Sequence, residues 1–306
     1  MRIVDLFSEG KLILKLGTPL ILLWAADIAF GTAGLFIAGA ISALDQAAFG
    51  LSFMLFMAIC VFSIATLNAI VTISARLDSA QEISAIGNLG RVSLVLALIF
   101  SVISIAFVFL LQRNLGLLDL EPKLATRVTE FLSVLVFAIP FQNFATVFIS
   151  LSNGLGRTIL PGLLGICSLL VMVIASYCFS FGAFSFPKLD GTGIAVAIVL
   201  ATIFRCLGSF GLVLQSKFRA IRLIELKFRN PCKTAAHLLK VGSPLGLMEL
   251  SSIGAVAMIS LLVAAEGTAF LAAHNIGFNV IVLSHFLIVG LSQGLTIRTG
   301  NLLGRE

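Results

Sequence analysis

Long apolar stretches separated by short polar breaks fill most of the chain. Each stretch has about 20 or more mostly apolar residues, the length that an α-helix needs to cross the hydrocarbon core of a bilayer. Polar and apolar residues do not alternate within them, so barrel strands are not predicted. The pattern predicts about eight transmembrane helices, near residues 12–37, 48–74, 92–112, 130–152, 159–181, 192–214, 241–264 and 269–297.

The composition agrees with a chain that is solvated by lipid. Of its 306 residues, 59% are hydrophobic and 11% are charged, and the mean hydropathy is +1.13. A soluble domain carries about 25% charged residues. The first apolar stretch is too long for a signal peptide and is predicted to be a retained span. The sequence therefore predicts an all-α integral membrane protein.

The basic residues are distributed unevenly between the loops, which predicts the orientation of the chain. If the N-terminus is cytoplasmic, most of the 20 Lys and Arg residues lie on the cytoplasmic side, as the positive-inside rule requires. Both termini are then cytoplasmic. Arg205 is an exception, since it falls within the sixth span.

A basic segment between the sixth and seventh spans divides the chain into unequal parts. Its charges are interleaved with apolar residues, which is typical of a segment lying on an anionic leaflet and requires no nucleic acid. The predicted organisation is a six-helix N-terminal lobe (1–214), a basic cytoplasmic linker (215–240) and a partial second lobe with helices seven and eight (241–306).

An internal repeat relates the start of the two lobes. Residues 14–20 (LKLGTPL) align without gaps with residues 239–245 (LKVGSPL), an offset of 225 (239 minus 14), and the same offset aligns Asn68 with Gln293. Six spans separate the copies, so both enter the membrane from the same side. Parallel repeats of this kind form secondary transporters whose site lies between them near the middle of the bilayer.

Two carboxylates lie well inside predicted spans, Asp27 in the first and Glu249 in the seventh. A central acid costs about 2.5–3.5 kcal/mol on insertion scales, which the surrounding apolar residues can offset. Either each acid is paired with a neighbouring helix or hydrated near the cytoplasmic face, or both face a cavity and exchange protons or bind cations. The buried amides similarly either tie helices together or line that cavity.

The sequence gives little support for an enzyme or a metal-binding protein. Residues 290–294 match G-x-S-x-G, but they lie inside an apolar span, whereas a nucleophile elbow needs a strand-to-helix turn. His274 and His285 lie about 16 Å apart by helix rise and cannot share a metal ion. The five cysteines have no metal or disulfide spacing. We therefore predict no enzyme activity, no metal site and no ATP-dependent or redox chemistry.

Several segments resemble the multidrug and toxic compound extrusion (MATE) transporters. They are KVGSPLGLME (240–249), AAHNIGFN (272–279), GLSQGLTIRTGNLLG (290–304) and LGRT followed by Pro161 (155–161). The resemblance implies twelve helices in two lobes, and export of cationic or amphipathic compounds in exchange for protons or sodium ions, with no other cofactor. By this comparison the chain lacks the last four helices.

The acids differ in position from those that the resemblance implies. Counting from Pro19, the coupling aspartate of the family corresponds to Gly34, while Asp27 lies seven residues earlier on nearly the same helix face. The helix-seven glutamate of many members corresponds to Ser252, and Glu249 is one turn earlier. Both acids are thus displaced substitutes, or the coupling differs or is lost.

The predicted function is secondary active export at the cell inner membrane, coupled to protons or sodium ions. Asp27 is the expected protonatable group. The other residues expected to line the cavity are Glu249, Asn68, Asn275 and Asn279. The expected partners are the lipid bilayer, a small-molecule substrate and a chain that supplies the missing four helices, with no nucleic acid. The alternatives are a flippase-like exporter of a lipid-linked solute and a non-transporting truncated or split membrane protein.

Overall fold

A computed structural model describes residues 3–117, 120–183, 186–214 and 228–303, and its regular structure is helical throughout. A short 3-10 turn (Leu115–Leu117) follows the third helix. The α-helices are α1 (Ile3–Ile41), α2 (Ala43–Ser79), α3 (Ile83–Asn114), α4 (Pro122–Leu135), α5 (Ala138–Gly154), α6 (Ile159–Phe181), α7 (Thr192–Leu214), α8 (Pro231–Ala265) and α9 (Thr268–Leu303).

The helices have the length and composition of a multi-pass membrane protein. Within the described ranges, six helices are long and apolar enough to cross a bilayer, and α4 with α5 makes a seventh if the pair is one span. α9 adds a further helix of 36 residues. The all-helical integral membrane fold predicted from the sequence is confirmed.

The fourth span is bent where the sequence places a proline. α4 and α5 meet at an angle of 47°, at residues 136–137, and Pro140 lies in the first turn of α5. The proline ring lacks an N–H donor and clashes with the carbonyl group four residues earlier, which here belongs to Val136. The bend therefore has a local cause in the sequence.

α8 begins ten residues before the span that hydropathy predicts. Pro231 occupies its first turn, where a missing N–H group is tolerated, so this proline starts a helix instead of interrupting one. The Asn88 side chain of α3 donates to the Arg229 carbonyl oxygen and accepts from the Arg229 amide, both at 2.8 Å. These bonds fix the entry into α8. Residues 215–227 of the predicted linker lie outside the described residues.

The internal repeat is visible in the way the helices pack. α1 packs along α9, and α2 packs along α8. A Cβ atom built on Gly17 would lie 3.5 Å from the Leu291 Cα atom, while one built on Gly242 would overlap the Thr66 carbonyl oxygen. Gly17 and Gly242 are related by the offset of 225, and so are Thr66 and Leu291. The two contacts are therefore equivalent under the repeat, because each joins the same two repeat positions, with the two copies exchanged.

Residues related by the repeat also face each other directly between α2 and α9. The Asn275 side chain lies against Gly50, its own counterpart, and Gly300 lies against Ala75 in the same way. A residue can contact its own counterpart only close to a two-fold axis. The axis that relates the two copies thus runs between α2 and α9, as expected for parallel repeats.

Candidate functional site

A cavity of about 130 Å³ lies between five helices of the described chain. Its lining is mostly apolar and aromatic, with a few polar side chains. The lining residues are Leu23, Trp24, Asp27 and Phe30 of α1; Phe53, Phe56, Met57, Ile64 and Asn68 of α2; Gln142, Thr146, Ile149 and Asn153 of α5; Ile198, Thr202 and Arg205 of α7; and Gln293 of α9. Pockets for drug-sized ligands have about 300–1,000 Å³, so this conformation has room for a headgroup or a few water molecules.

Helical periodicity brings the polar side chains into this cavity. On α5, Gln142, Thr146, Ile149 and Asn153 follow one another at spacings of three or four residues, which places them on one helix face. The same spacing on α1 aligns Leu23, Asp27 and Phe30. Each helix therefore presents a single stripe to the cavity and leaves its other faces for packing and lipid.

An ion pair between α1 and α7 crosses the cavity wall. Arg205 Nη1 pairs with Asp27 Oδ1, and Arg205 Nη2 donates to Gln142 Oε1 at 2.5 Å. The guanidinium carbon also lies 5.8 Å from the centre of the Phe30 ring, a favourable position for a cation over an aromatic face. Side chains of two helices, α1 and α5, thus hold the guanidinium in place.

The two charged side chains differ in how far they are buried. The Arg205 side chain is 7% exposed, whereas the Asp27 side chain is 33% exposed. Asp27 therefore has a partner on a neighbouring helix and also remains open to the cavity. Asp27 is thus both paired with a neighbouring helix and part of the cavity lining, while its exchange of protons or cations stays a prediction.

Both copies of the repeat contribute an amide to the cavity. Asn68 lines it from α2, where its Oδ1 atom accepts a hydrogen bond from Ser150 Oγ at 3.0 Å. Gln293, the counterpart of Asn68 in the repeat, lines it from α9. Asn153 is 2% exposed, and its Oδ1 atom has no hydrogen-bond partner in the described part of the chain. This polar group is left to interact with whatever occupies the cavity.

Glu249 and Asn275, two of the residues expected at the site, are not among the described residues that line this cavity. Glu249 is half-buried on α8 and forms no ion pair within the described ranges. Asn275 is 5% exposed and lies against Gly50. The side chains of Asn279 and His285 lie outside the described residues. Of the four predicted site residues whose side chains the structure describes, Asp27 and Asn68 are brought together here.

The displaced position of the first acid has a steric explanation. Gly34 is buried, and a Cβ atom there would overlap the Phe49 ring, which is itself 1% exposed. A carboxylate side chain has no room at position 34 unless Phe49 moves. On α8, Ser252 is exposed on the surface.

Arg205 and Gln142 are the site residues whose roles the sequence reasoning did not predict. The available signal was a single arginine inside a span, because an intramembrane cation needs a counter-charge. Asp27 is the one carboxylate well inside the first six predicted spans, so it could have been inferred as the partner of Arg205. Trp24, the single tryptophan of the chain, also lines the cavity.

The remaining chemical signals do not form a second site. The G-x-S-x-G match at 290–294 lies within the continuous helix α9, so it is not a nucleophile elbow. His274 Nε2 lies 3.3 Å from Ser260 Oγ, a contact between α8 and α9. No group of three or more His, Cys, Asp or Glu side chains that could hold a metal ion occurs among the residues that the structure describes.

Sequence comparison identifies relatives of the chain. The MatE family model matches residues 19–178. The Multidrug resistance protein NorM of Vibrio cholerae is 26% identical over 300 residues, covering 98% of this chain and 66% of that protein. NorM of Photobacterium profundum is 27% identical over 301 residues, with 97% and 66% covered. The chain thus spans 66% of the length of these relatives.

Solved structures share the same fold. A MOP superfamily transporter from Pyrococcus furiosus superimposes with a TM-score of 0.81 at 20% identity, covering 96% of this chain and 65% of that one. A eukaryotic MATE transporter superimposes with a TM-score of 0.84 at 13% identity, with 98% and 66% covered. Both of these structures are transporters.

Proposed function

Because the chain belongs to the MatE family, whose model matches residues 19–178, we propose that it acts in the export of amphipathic small molecules across the cell inner membrane, in exchange for protons or sodium ions. The observation that carries the proposal is the cavity that Asp27 and Arg205 share. An intramembrane ion pair that lines a cavity marks a solute or ion pathway. The multi-pass fold and the names of the curated relatives support the same assignment.

The lining suits an amphipathic solute. Aromatic side chains, among them Trp24, Phe30 and Phe53, provide apolar surface, and the Asn68, Gln142 and Thr202 side chains provide polar contacts. Ligand sites generally combine an apolar lining with a few placed polar groups. Since the cavity has about 130 Å³ in this conformation, the headgroup of the solute enters it, and the apolar part extends toward its open side.

The exposed part of Asp27 gives the coupling ion a place to act on the solute site. One third of the Asp27 side chain is exposed, so a proton or a sodium ion reaches it from the cavity. When the ion neutralises Asp27, the hold on Arg205 weakens and the polar lining rearranges. Solute and coupling ion then favour different arrangements of one site, which is the requirement for exchange.

The exposed faces of α8 and α9 suit additional helices. The apolar window of α8 is 17% buried, the smallest share among the six spans identified in the described chain. Glu249 lies half-buried on this helix without an ion-pair partner in the described ranges, although an acid in lipid is costly. We infer that these faces are packing surfaces for further helices in the membrane. We also propose that both termini lie in the cytoplasm, because most basic residues of the loops are then on the cytoplasmic side.

Removing both charges of the cavity is expected to abolish export without exposing an unpaired charge. The double variant Asp27→Asn/Arg205→Gln replaces the ion pair by two amides. In a bacterium lacking its own multidrug exporters, cells that express the wild-type chain should accumulate less of an amphipathic fluorescent dye than cells with an empty vector. Cells with the double variant should accumulate as much as the vector control.

The matched control is Phe107→Ala, which changes a side chain that is 56% exposed on α3, and which should export as the wild type does. Each variant is first checked for its amount in the membrane. Wild-type export by the double variant would exclude the cavity as the transport site, and equal accumulation with and without the wild-type chain would refute export by this chain.

A further inference from the structure

Arg205 gives the cavity an internal cation, and this has consequences for what the cavity accepts. We propose that Arg205 is a specificity-determining residue that excludes organic cations from the Asp27 site and selects amphipathic solutes whose headgroup is a carboxylate. The proposal rests on the proposed function, since it concerns the cargo of the same cavity. It narrows the substrate class from amphipathic compounds in general to one type of headgroup.

The cavity lining carries one charge of each sign. Asp27 and Arg205 are the only charged side chains that line the cavity in the described part of the chain, and they are paired. An organic cation that entered would have to displace the guanidinium from Asp27. Arg205 would then remain buried without a counter-charge, which is strongly unfavourable. The carboxylate is therefore already occupied by the protein's own cation.

The guanidinium of Arg205 has an N–H donor without an acceptor in the described chain. An arginine has five N–H donors in a planar fork that matches a carboxylate. Nη1 is used by Asp27 and Nη2 by Gln142, whereas Nε is buried and has no hydrogen-bond partner among the described residues. A solute carboxylate that accepts a hydrogen bond from Nε would satisfy this donor.

The chain contains a natural reporter for this question. Trp24 is its single tryptophan and lines the cavity one turn of helix from Asp27. Bromine atoms quench tryptophan fluorescence at short range, so a brominated amphiphile that enters the cavity should quench Trp24. Two short probes of equal chain length, with bromine close to the headgroup, isolate the effect of the headgroup charge, namely 6-bromohexanoate and the (5-bromopentyl)trimethylammonium ion.

The experiment measures quenching of Trp24 in the purified chain in lipid nanodiscs, for the wild type and for Arg205→Gln. The wild type should bind the carboxylate probe about tenfold or more tightly than the ammonium probe, as expected where one probe leaves a buried charge unpaired. Arg205→Gln should reverse this order, because Asp27 is then free to pair with the ammonium group. Arg205→Lys, which keeps the charge, should retain the preference for the carboxylate.

A second variant tests the proposal from the opposite side. Asp27→Asn releases the guanidinium from its partner, so it should bind the carboxylate probe more tightly than the wild type, while the ammonium probe stays weak. Equal or tighter binding of the ammonium probe by the wild type would overturn the proposal. So would an unchanged order in folded Arg205→Gln. If that variant does not fold, the order of binding in the wild type and in the charge-preserving Arg205→Lys decides the outcome.

The failure of this inference is distinguishable from that of the proposed function. Export of dyes without a preference for carboxylate headgroups would overturn the role of Arg205 and leave export standing. The expected order of probe binding in a chain that exports nothing would support the role of Arg205 in binding and refute export.

Discussion

Asp27→Asn is expected to lower the free energy of unfolding by about 3–5 kcal/mol, because it leaves a buried charge without its partner. The charge that remains is the Arg205 guanidinium, whose side chain is 7% exposed. Its remaining partners in the structure are the Gln142 oxygen and the Phe30 ring, and neither carries a negative charge. The variant should therefore melt well below the wild type when helicity is followed by circular dichroism in detergent.

The opposite substitution should be milder, and this asymmetry is the informative part of the prediction. Arg205→Gln leaves Asp27, whose side chain is 33% exposed and can be hydrated from the cavity. The double variant Asp27→Asn/Arg205→Gln leaves no charge at all and should melt closer to the wild type than Asp27→Asn does. If the two single variants melt at the same temperature, the burial of the remaining charged side chain does not determine how much stability is lost.

The second large effect is expected where α8 crosses α2. Gly242→Ala would place a Cβ atom against the Thr66 carbonyl oxygen, which is backbone and cannot rotate away. The helices must separate, at a cost of about 1–3 kcal/mol for overpacking. Thermal melting and proteolysis of the chain in detergent should both show a destabilised α8.

Two other glycines provide matched controls for this crossing. Gly17 is the counterpart of Gly242 in the repeat, but a Cβ atom there would meet its nearest atoms at an ordinary distance of 3.5 Å. Gly254 also lies on α8, and a Cβ atom there would have nothing within 4 Å. Both Gly17→Ala and Gly254→Ala should melt as the wild type does. If Gly242→Ala also melts like these controls, α2 and α8 are not packed as described.

The sequence predicts the fold well because lipid imposes simple rules. Apolar length determines the spans, and the repeat of residues 14–20 at 239–245 relates two helix pairs that pack as exchanged copies. Hydropathy misplaces the start of α8, because the turns from Pro231 to residue 240 are polar enough to resemble a linker. Their helical state is fixed by a proline in the first turn and by Asn88, 141 positions away in sequence from Arg229.

The site is harder to predict because it depends on how helices are rotated against each other. Asp27 and Arg205 are separated by 178 positions, and only the packing of α1 and α7 brings them together. The position along a helix matters as well, because Asn275 and Gln293 are five turns apart on one face of α9, yet the first lies against Gly50 and the second lines the cavity. Gly34 illustrates the same limit, because only the position of Phe49 shows why no carboxylate fits there.

If the chain exports its cargo as proposed, the cargo occupies the cavity shared by Asp27 and Arg205. Photocrosslinking tests it most directly, with a diazirine-bearing amphipathic carboxylate, the purified chain in nanodiscs and peptide mapping by mass spectrometry. We expect the probe to label cavity residues such as Trp24, Phe53 and Ile149. Unlabelled probe should reduce this labelling, and the double variant Asp27→Asn/Arg205→Gln should lose it. Labelling confined to lipid-facing residues such as Phe107 and Phe109, or unchanged in the double variant, would contradict it.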